Sequence, residues 1–150
     1  MTTSALPSLS PNHHSEHPGF SGLSGLLVGL TMIAGRGTTA QLAADLTGVT
    51  RDDHVVDVGC GPGTAVRAAA RRGATVTGVD PAPVMLSLAR RLTRNSSITW
   101  REGAAESLPL PDGVATVLWS LSTVHHWHDI DAGLAEARRV LAPGGRLLAI

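Results

Sequence analysis

The stretch Val55-Val56-Asp57-Val58-Gly59-Cys60-Gly61-Pro62-Gly63 joins an apolar run, an acidic residue and three glycines at alternate positions. A helix-like pattern opens at Thr64. That order predicts a buried strand feeding a tight glycine turn at the start of a helix. In an open α/β sheet a ligand sits at this place, outside the carboxyl end of the first strand. Glycine lets the backbone come close to a ligand because no Cβ intervenes. Asp57 adds a carboxylate beside the loop.

Two familiar glycine loops do not fit. A dinucleotide fingerprint needs a third glycine three residues after the second; in the two available registers those positions hold Thr64 and Val66. A phosphate-binding P-loop needs a lysine, and all twelve basic residues of this chain are arginine.

At 150 residues the chain reads as one domain, large enough for a real core. Twelve basic and twelve acidic residues balance to a formal net charge of zero. With no basic tract, neither nucleic-acid nor anionic-membrane binding is expected. The apolar stretch 22–34 is shorter than the ~20 residues of a bilayer span, and no arginine precedes it. Neither a membrane segment nor a secretory leader is therefore expected. The single cysteine, Cys60, cannot form an internal disulfide, which fits a reducing compartment, and a cytoplasmic location is expected. Inside the glycine loop Cys60 reads either as a small buried residue or as a reactive thiol.

Residues 1–19, rich in Ser, Pro and His, read as a flexible tail, with His13, His14 and His17 solvated rather than metal-bound. The domain is expected to span 20–150. Leu23, Leu26, Leu27, Leu30 and Ile33 recur at helical intervals over 20–35, weakened by three glycines. A second helix is expected over 38–46, with Thr38 as its cap and Gly48 past its end. Strands are then expected at 54–58, 74–79, 97–102, 115–121 and 146–150. Helices are expected at 64–72, 82–92 and 131–141. In the second of these, Met85, Leu88, Ala89 and Leu92 form the apolar stripe. In the last, Ile130, Leu134, Ala137 and Leu141 are read as inward, and Ala142-Pro143-Gly144-Gly145 as the break after it. Strict alternation of strand and helix predicts a parallel sheet with right-handed crossovers.

Asp80 ends the second predicted strand. An acidic residue there can accept hydrogen bonds from both ribose hydroxyls of an adenosine group. With Pro81 next, it can also cap the following helix; the two roles are compatible. The segment Ser122-Thr123-Val124-His125-His126-Trp127-His128-Asp129 invites a metal reading, but adjacent His125 and His126 cannot easily face one ion, and no metal site is expected. A general-base role for His125 or His126 stands against capping and packing at a strand-helix junction.

Asp57-Val58-Gly59-Cys60-Gly61-Pro62-Gly63 resembles motif I of the class I S-adenosylmethionine-dependent methyltransferases. The loop Gly103-Ala104-Ala105-Glu106-Ser107-Leu108-Pro109-Leu110-Pro111-Asp112 is similar to that family's Gly-Asp-Ala-Glu-x-Leu-Pro-Phe-Pro-Asp pattern after strand three. Arg138-Arg139-Val140-Leu141-Ala142-Pro143-Gly144-Gly145-Arg146-Leu147 resembles its run into strand five, and many small-molecule members carry a histidine pair like His125-His126. Two departures stand out: Ala104 replaces the aspartate that meets the adenine amino group, and Thr116 an aspartate near the start of strand four.

The resemblance implies a doubly wound, mostly parallel Rossmann-like sheet of order 3-2-1-4-5, without the family's last two strands. It implies S-adenosyl-L-methionine as cofactor and a small-molecule methyl acceptor. Gly59, Cys60, Gly61 and Gly63 would border the methionine portion, with Asp57 toward its ammonium group. Asp80 would hold the ribose, with Pro81 and Met85 beside it. Ala104, Ala105 and Glu106 would border the adenine, and Ser120 and Thr123 the reacting methyl. Because the family core has seven strands, the chain is expected to be the N-terminal part of a longer protein. Leu147 to Ile150 would then form an apolar edge prone to self-association. Helices before the first strand commonly cover the family's pocket. The competing reading is a cofactor-binding or interaction module without catalysis; a nicotinamide oxidoreductase is disfavoured by Thr64, Val66 and the lack of lysine and tyrosine.

Overall fold

The computed structural model describes residues 37–150. The expected tail and the expected helix over 20–35 lie outside these residues.

Helix α1 (Gly37–Leu46) leads into β1 (His54–Val58), α2 (Thr64–Arg71), β2 (Thr75–Asp80), α3 (Pro83–Leu92), β3 (Ile98–Glu102), β4 (Ala115–Ser120), a 3-10 turn (Val124–His126), α4 (Ile130–Val140) and β5 (Leu141–Ala149). The five strands form one sheet of order β3-β2-β1-β4-β5, and every pairing is parallel. The expected strand order is therefore present. The chain winds outward from β1 to β3 and then crosses back to β4, so the order reverses between β1 and β4. Ligands bind at such a switch point, at the carboxyl ends of the strands.

Consecutive residues of β1 face opposite sides of the sheet and build two cores. Val55 joins Ala40, Ala43 and Ala44 of α1, Val66 and Ala69 of α2, and Trp119. Val56 and Val58 join Leu118, Leu108, Trp127, Ala137 and Val140 on the other side. Val55 and Val56 are wholly buried; each such side chain contributes about 1.5–3 kcal/mol relative to exposure. With both faces covered, a nearly continuous apolar strand results rather than an alternating one.

Several expectations need correction. Thr38 lies inside α1, which already includes Gly37, and is not its cap. Gly48 does end the helix: it has φ +58°, its amide bonds the Asp45 carbonyl and the Val49 amide bonds that of Ala44, a Schellman stop. In α3 the buried residues are Met85, Leu86 and Ala89, whereas Leu92, the last helical residue, is exposed. In α4 the inward face runs through Gly133, Ala137 and Val140, while Ile130 and Leu134 are 42% and 44% exposed. The cause is Trp127, whose indole lies against Gly133: a Cβ there would sit 2.4 Å from Cε3. The ring occupies the space a larger inward side chain would need and sets the helix's rotation. Finally, Pro143-Gly144-Gly145 does not precede β5 but lies within it. Leu141 already pairs with Ala115, and the ladder resumes at Val117 with Arg146. The extra residues are absorbed as a bulge, in which Gly144 takes φ +78°. β5 is an edge strand of the described sheet, with Leu147 and Ile150 44% and 49% exposed.

Candidate cofactor site

The turn after β1 is held by its own backbone. The amides of Gly59 and Cys60 both donate to the Val79 carbonyl, at 2.8 and 3.0 Å, and the Gly63 amide donates to that of Cys60. Gly59, Gly61 and Gly63 all have positive φ, but they are glycine for different reasons. A Cβ on Gly59 would lie 2.6 Å from Thr123 Cγ2, and one on Gly63 would lie 2.3 Å from Trp100 Cη2. Nothing lies within 4 Å of the Cβ position of Gly61. Gly61 is itself buried, with free space at its Cβ position, whereas Gly59 is the loop glycine that lines the cleft described below.

Asp80 reaches back to this point from the end of β2. Its Oδ2 accepts from the Gly61 amide at 2.8 Å and its Oδ1 from the Ala82 amide at 2.9 Å. Burial pushes its carboxyl above the usual aspartate range, and the Ala82 and Gly61 amides pull it only part of the way back. The carboxylate therefore holds the loop and the chain just before α3 at once, but it does not cap the helix as expected, because Ala82 is the N-cap and no side chain caps it. A carboxylate has about four lone-pair sites, so two accepted bonds leave capacity for hydroxyl donors.

A cleft of about 390 Å³, its open mouth included, lies beside the loop. It is lined by Asp57, Gly59, Cys60, Pro62, Thr64 and Ala65, by Leu121 and Ser122 after β4, and by Thr39 and Ala40 of α1. Asp57 is nearly fully buried beside the loop. Burial and the charges of Asp57 and Asp80 hold the Cys60 thiol well above its usual pKa. Cys60 is consequently a neutral buried residue, and the reactive-thiol reading fails.

Of the expected site residues, the structure brings Asp57, Gly59 and Cys60 to the cleft, with Gly61 and Gly63 in the same loop and Asp80 bonded to it. Thr123 and Ser120 serve a different purpose. Ser120 is 0% exposed, its hydroxyl hydrogen-bonds that of Thr123 at 2.7 Å, and Thr123 donates to the Val58 carbonyl. Together they latch the end of β4 to the glycine turn rather than border the cleft. Pro81, Met85, Ala104, Ala105 and Glu106 do not line it either. Ala104 pairs with Ser107 in a tight bridge, Met85 is buried in α3, and Glu106 accepts from the His128 and Asp129 amides at the start of α4. His125 and His126 are exposed on the 3-10 turn, ring centroids 3.9 Å apart, and line no part of the cleft. Among the described residues no group of three metal-ligating side chains is present.

The Leu-Pro-Leu-Pro-Asp segment has a structural explanation. Arg139 of α4 donates to the Leu108 and Leu110 carbonyls and to Asp112, and forks onto Glu136. Glu136 in turn accepts from the Leu108 amide at 2.7 Å. The loop after β3 is thereby clamped to α4. Thr116 likewise acts at the far end of the sheet, donating to Asp53 and accepting from the His54 amide.

Sequence reasoning did not single out Thr39, Ala40, Leu121 or Ser122. Ser122 has φ +59°, the one left-handed non-glycine residue among those described, and no sequence signal marks it. Thr39 and Ala40 could have been reached from the helix before β1.

Comparison with known proteins agrees with this geometry. Residues 56–149 match the family model of the methyltransferase domain. A demethylmenaquinone methyltransferase of Tropheryma whipplei is 42% identical over 109 residues, covering 72% of this chain and 45% of that protein. In the Haloferax volcanii complex between the Trm112 methyltransferase activator and its methyltransferase partner, a chain superposes with TM-score 0.77 at 30% identity, covering 81% of this chain and 55% of that one. An S-adenosylmethionine-dependent methyltransferase of Mesorhizobium loti superposes with TM-score 0.69 at 29% identity, covering 78% and 54%. This chain belongs to the class I S-adenosylmethionine-dependent methyltransferase family. It spans somewhat under half the length of the first of these relatives. No helix among the described residues is long and apolar enough to cross a membrane.

Proposed function

We propose that the chain binds S-adenosyl-L-methionine at the glycine turn and transfers its methyl group to a small-molecule acceptor. The observation that carries this reading is a glycine turn at the reversal of strand order that lines a cleft with Asp57, Gly59 and Cys60 and is tied to Asp80 through the Gly61 amide. A cationic ligand with a ribose fits that set. Asp57 favours an ammonium group in a poorly solvated place, Asp80 has lone pairs to accept ribose hydroxyls, and the glycine backbone allows close approach. The loop 104–106 is assigned to the adenine on the family resemblance alone, through backbone groups because Ala104 has no polar side chain.

When bound, this cofactor would supply a methyl group on positively charged sulfur, open to an acceptor lone pair. The protein's part is to orient the reactants and keep water out. Among the described residues the cleft lining contains no basic side chain, which suits a small acceptor better than a polyanion. A cofactor-binding module without turnover is the second reading, favoured by one observation: neither His125 nor His126 lines the cleft.

Turnover separates the two. Formation of S-adenosylhomocysteine, followed over a panel of small quinol, carboxylate and amine acceptors, is expected to rise above background with at least one of them. Binding without turnover across the panel would favour the module.

A further inference from the structure

We infer that Arg146, on β5 at the end of the sheet opposite the glycine turn, is a positioning residue for the cofactor cleft, acting through α1. The inference rests on the cofactor assignment above. Thr39 and Ala40, near the start of α1, form one wall of the cleft. The helix turns only alanines toward the sheet: Ala40, Ala43 and Ala44 are its buried residues. Small side chains pack closely but interlock little, so they do not by themselves fix how the helix is set on the sheet.

The fixing is at the other end. Arg146 donates through one guanidinium nitrogen to the Thr47 carbonyl and through another to Asp53. Arg72, just past the end of α2, donates to the Ala44 carbonyl at 3.2 Å and pairs with Asp45. Trp119 of β4 donates to the Thr47 hydroxyl, which bonds the Ala43 carbonyl at 2.6 Å. The carboxyl end of a helix favours cations, and here two arginines from different elements meet the Ala44 and Thr47 carbonyls there. A ten-residue helix is about 15 Å long, so a small tilt about this anchored end shifts the wall that Thr39 and Ala40 supply.

The test compares Arg146→Met and Arg72→Met with the natural chain by titration with S-adenosylmethionine and by amide hydrogen exchange of the cofactor-free protein. Affinity is expected to fall by about three- to tenfold, with faster exchange along α1. Arg146→Lys should restore part of the loss, since it keeps one charged donor but not the fork. If the natural chain binds and both methionine variants bind as well as it does, the inference is overturned, even where melting temperature falls. If the natural chain does not bind, the cofactor reading fails, and exchange alone decides: unchanged α1 amides overturn the tie, faster ones support it. Should Arg146→Met fail to fold, Arg72→Met, which leaves β5 intact, carries the decision.

Discussion

The Gly61 amide and the Asp80 carboxylate, nineteen residues apart in sequence, are joined by a hydrogen bond of 2.8 Å. One side chain ties the turn after β1 to the start of α3, because its second oxygen accepts from Ala82. Asp80→Ala removes that tie and the proposed ribose acceptor together. Affinity for S-adenosylmethionine is expected to fall by more than about tenfold, or 1.4 kcal/mol. Asp80→Asn, with one acceptor oxygen left, should lie between. Titration calorimetry checks both, and unchanged affinity would remove Asp80 from the site.

Two of the loop glycines should separate stability from binding. Gly61→Ala meets no atom within 4 Å, so its cost is the left-handed backbone alone, about 1–2 kcal/mol. Its methyl would fill free space in the turn assigned to the ligand, and binding should suffer out of proportion to stability. Gly63→Ala adds a collision with the Trp100 indole, for a further cost of about 1–3 kcal/mol. Denaturant melts and titrations of the two variants check the contrast. Equal losses of affinity per unit of stability would deny Gly61 its special place.

Two aspartates give stability opposite dependences on pH. At Asp53, burial raises the carboxyl's pKa, but hydrogen bonds from Thr116 and Thr50 and the Arg146 charge outweigh it and hold the group below the usual range. The unfolded chain then takes up its proton more readily. The stability Asp53 contributes is complete above its ordinary pKa of about 3.9 and is lost as pH falls through the lowered folded value. For Asp80 the folded value is raised, chiefly by burial, so the folded chain binds that proton more readily. Stability from this group falls as pH rises from about 3.9 through the raised value. In denaturant melts across acidic pH, Asp53→Asn should weaken the loss of stability toward low pH, and Asp80→Asn should remove a loss toward higher pH. The opposite pattern would contradict the assigned environments.

Cys60 is the chain's single cysteine, buried at the cleft with its thiol held neutral. A soluble disulfide reagent should label the folded protein slowly and the denatured protein at once. S-adenosylmethionine should slow labelling further, since the ligand would cover the cleft. Rapid labelling of the folded chain would contradict the burial described here.

The fold was legible because its signals are local and repeated. The apolar run of β1, the glycines that follow it and Asp80 at the end of β2 mark their elements directly. What was not legible depends on how the elements pack together. Nothing near Ile130 or Leu134 announces that Trp127 will take their place against the sheet. Pro143-Gly144-Gly145 reads as a break, since a bulge paired with Ala115 and Val117 is visible only once the strands meet. In the candidate site, the loop and Asp80 carried their own pattern. Ser120 and Thr123 read as pocket residues and instead form a latch, whereas Ser122, which does line the cleft, carries no mark.

The most direct test is calorimetric titration of the purified chain with S-adenosylmethionine, with NAD as the control. The account predicts micromolar binding of S-adenosylmethionine and none of NAD. A folded, monodisperse sample that binds neither, or binds NAD alone, would contradict it.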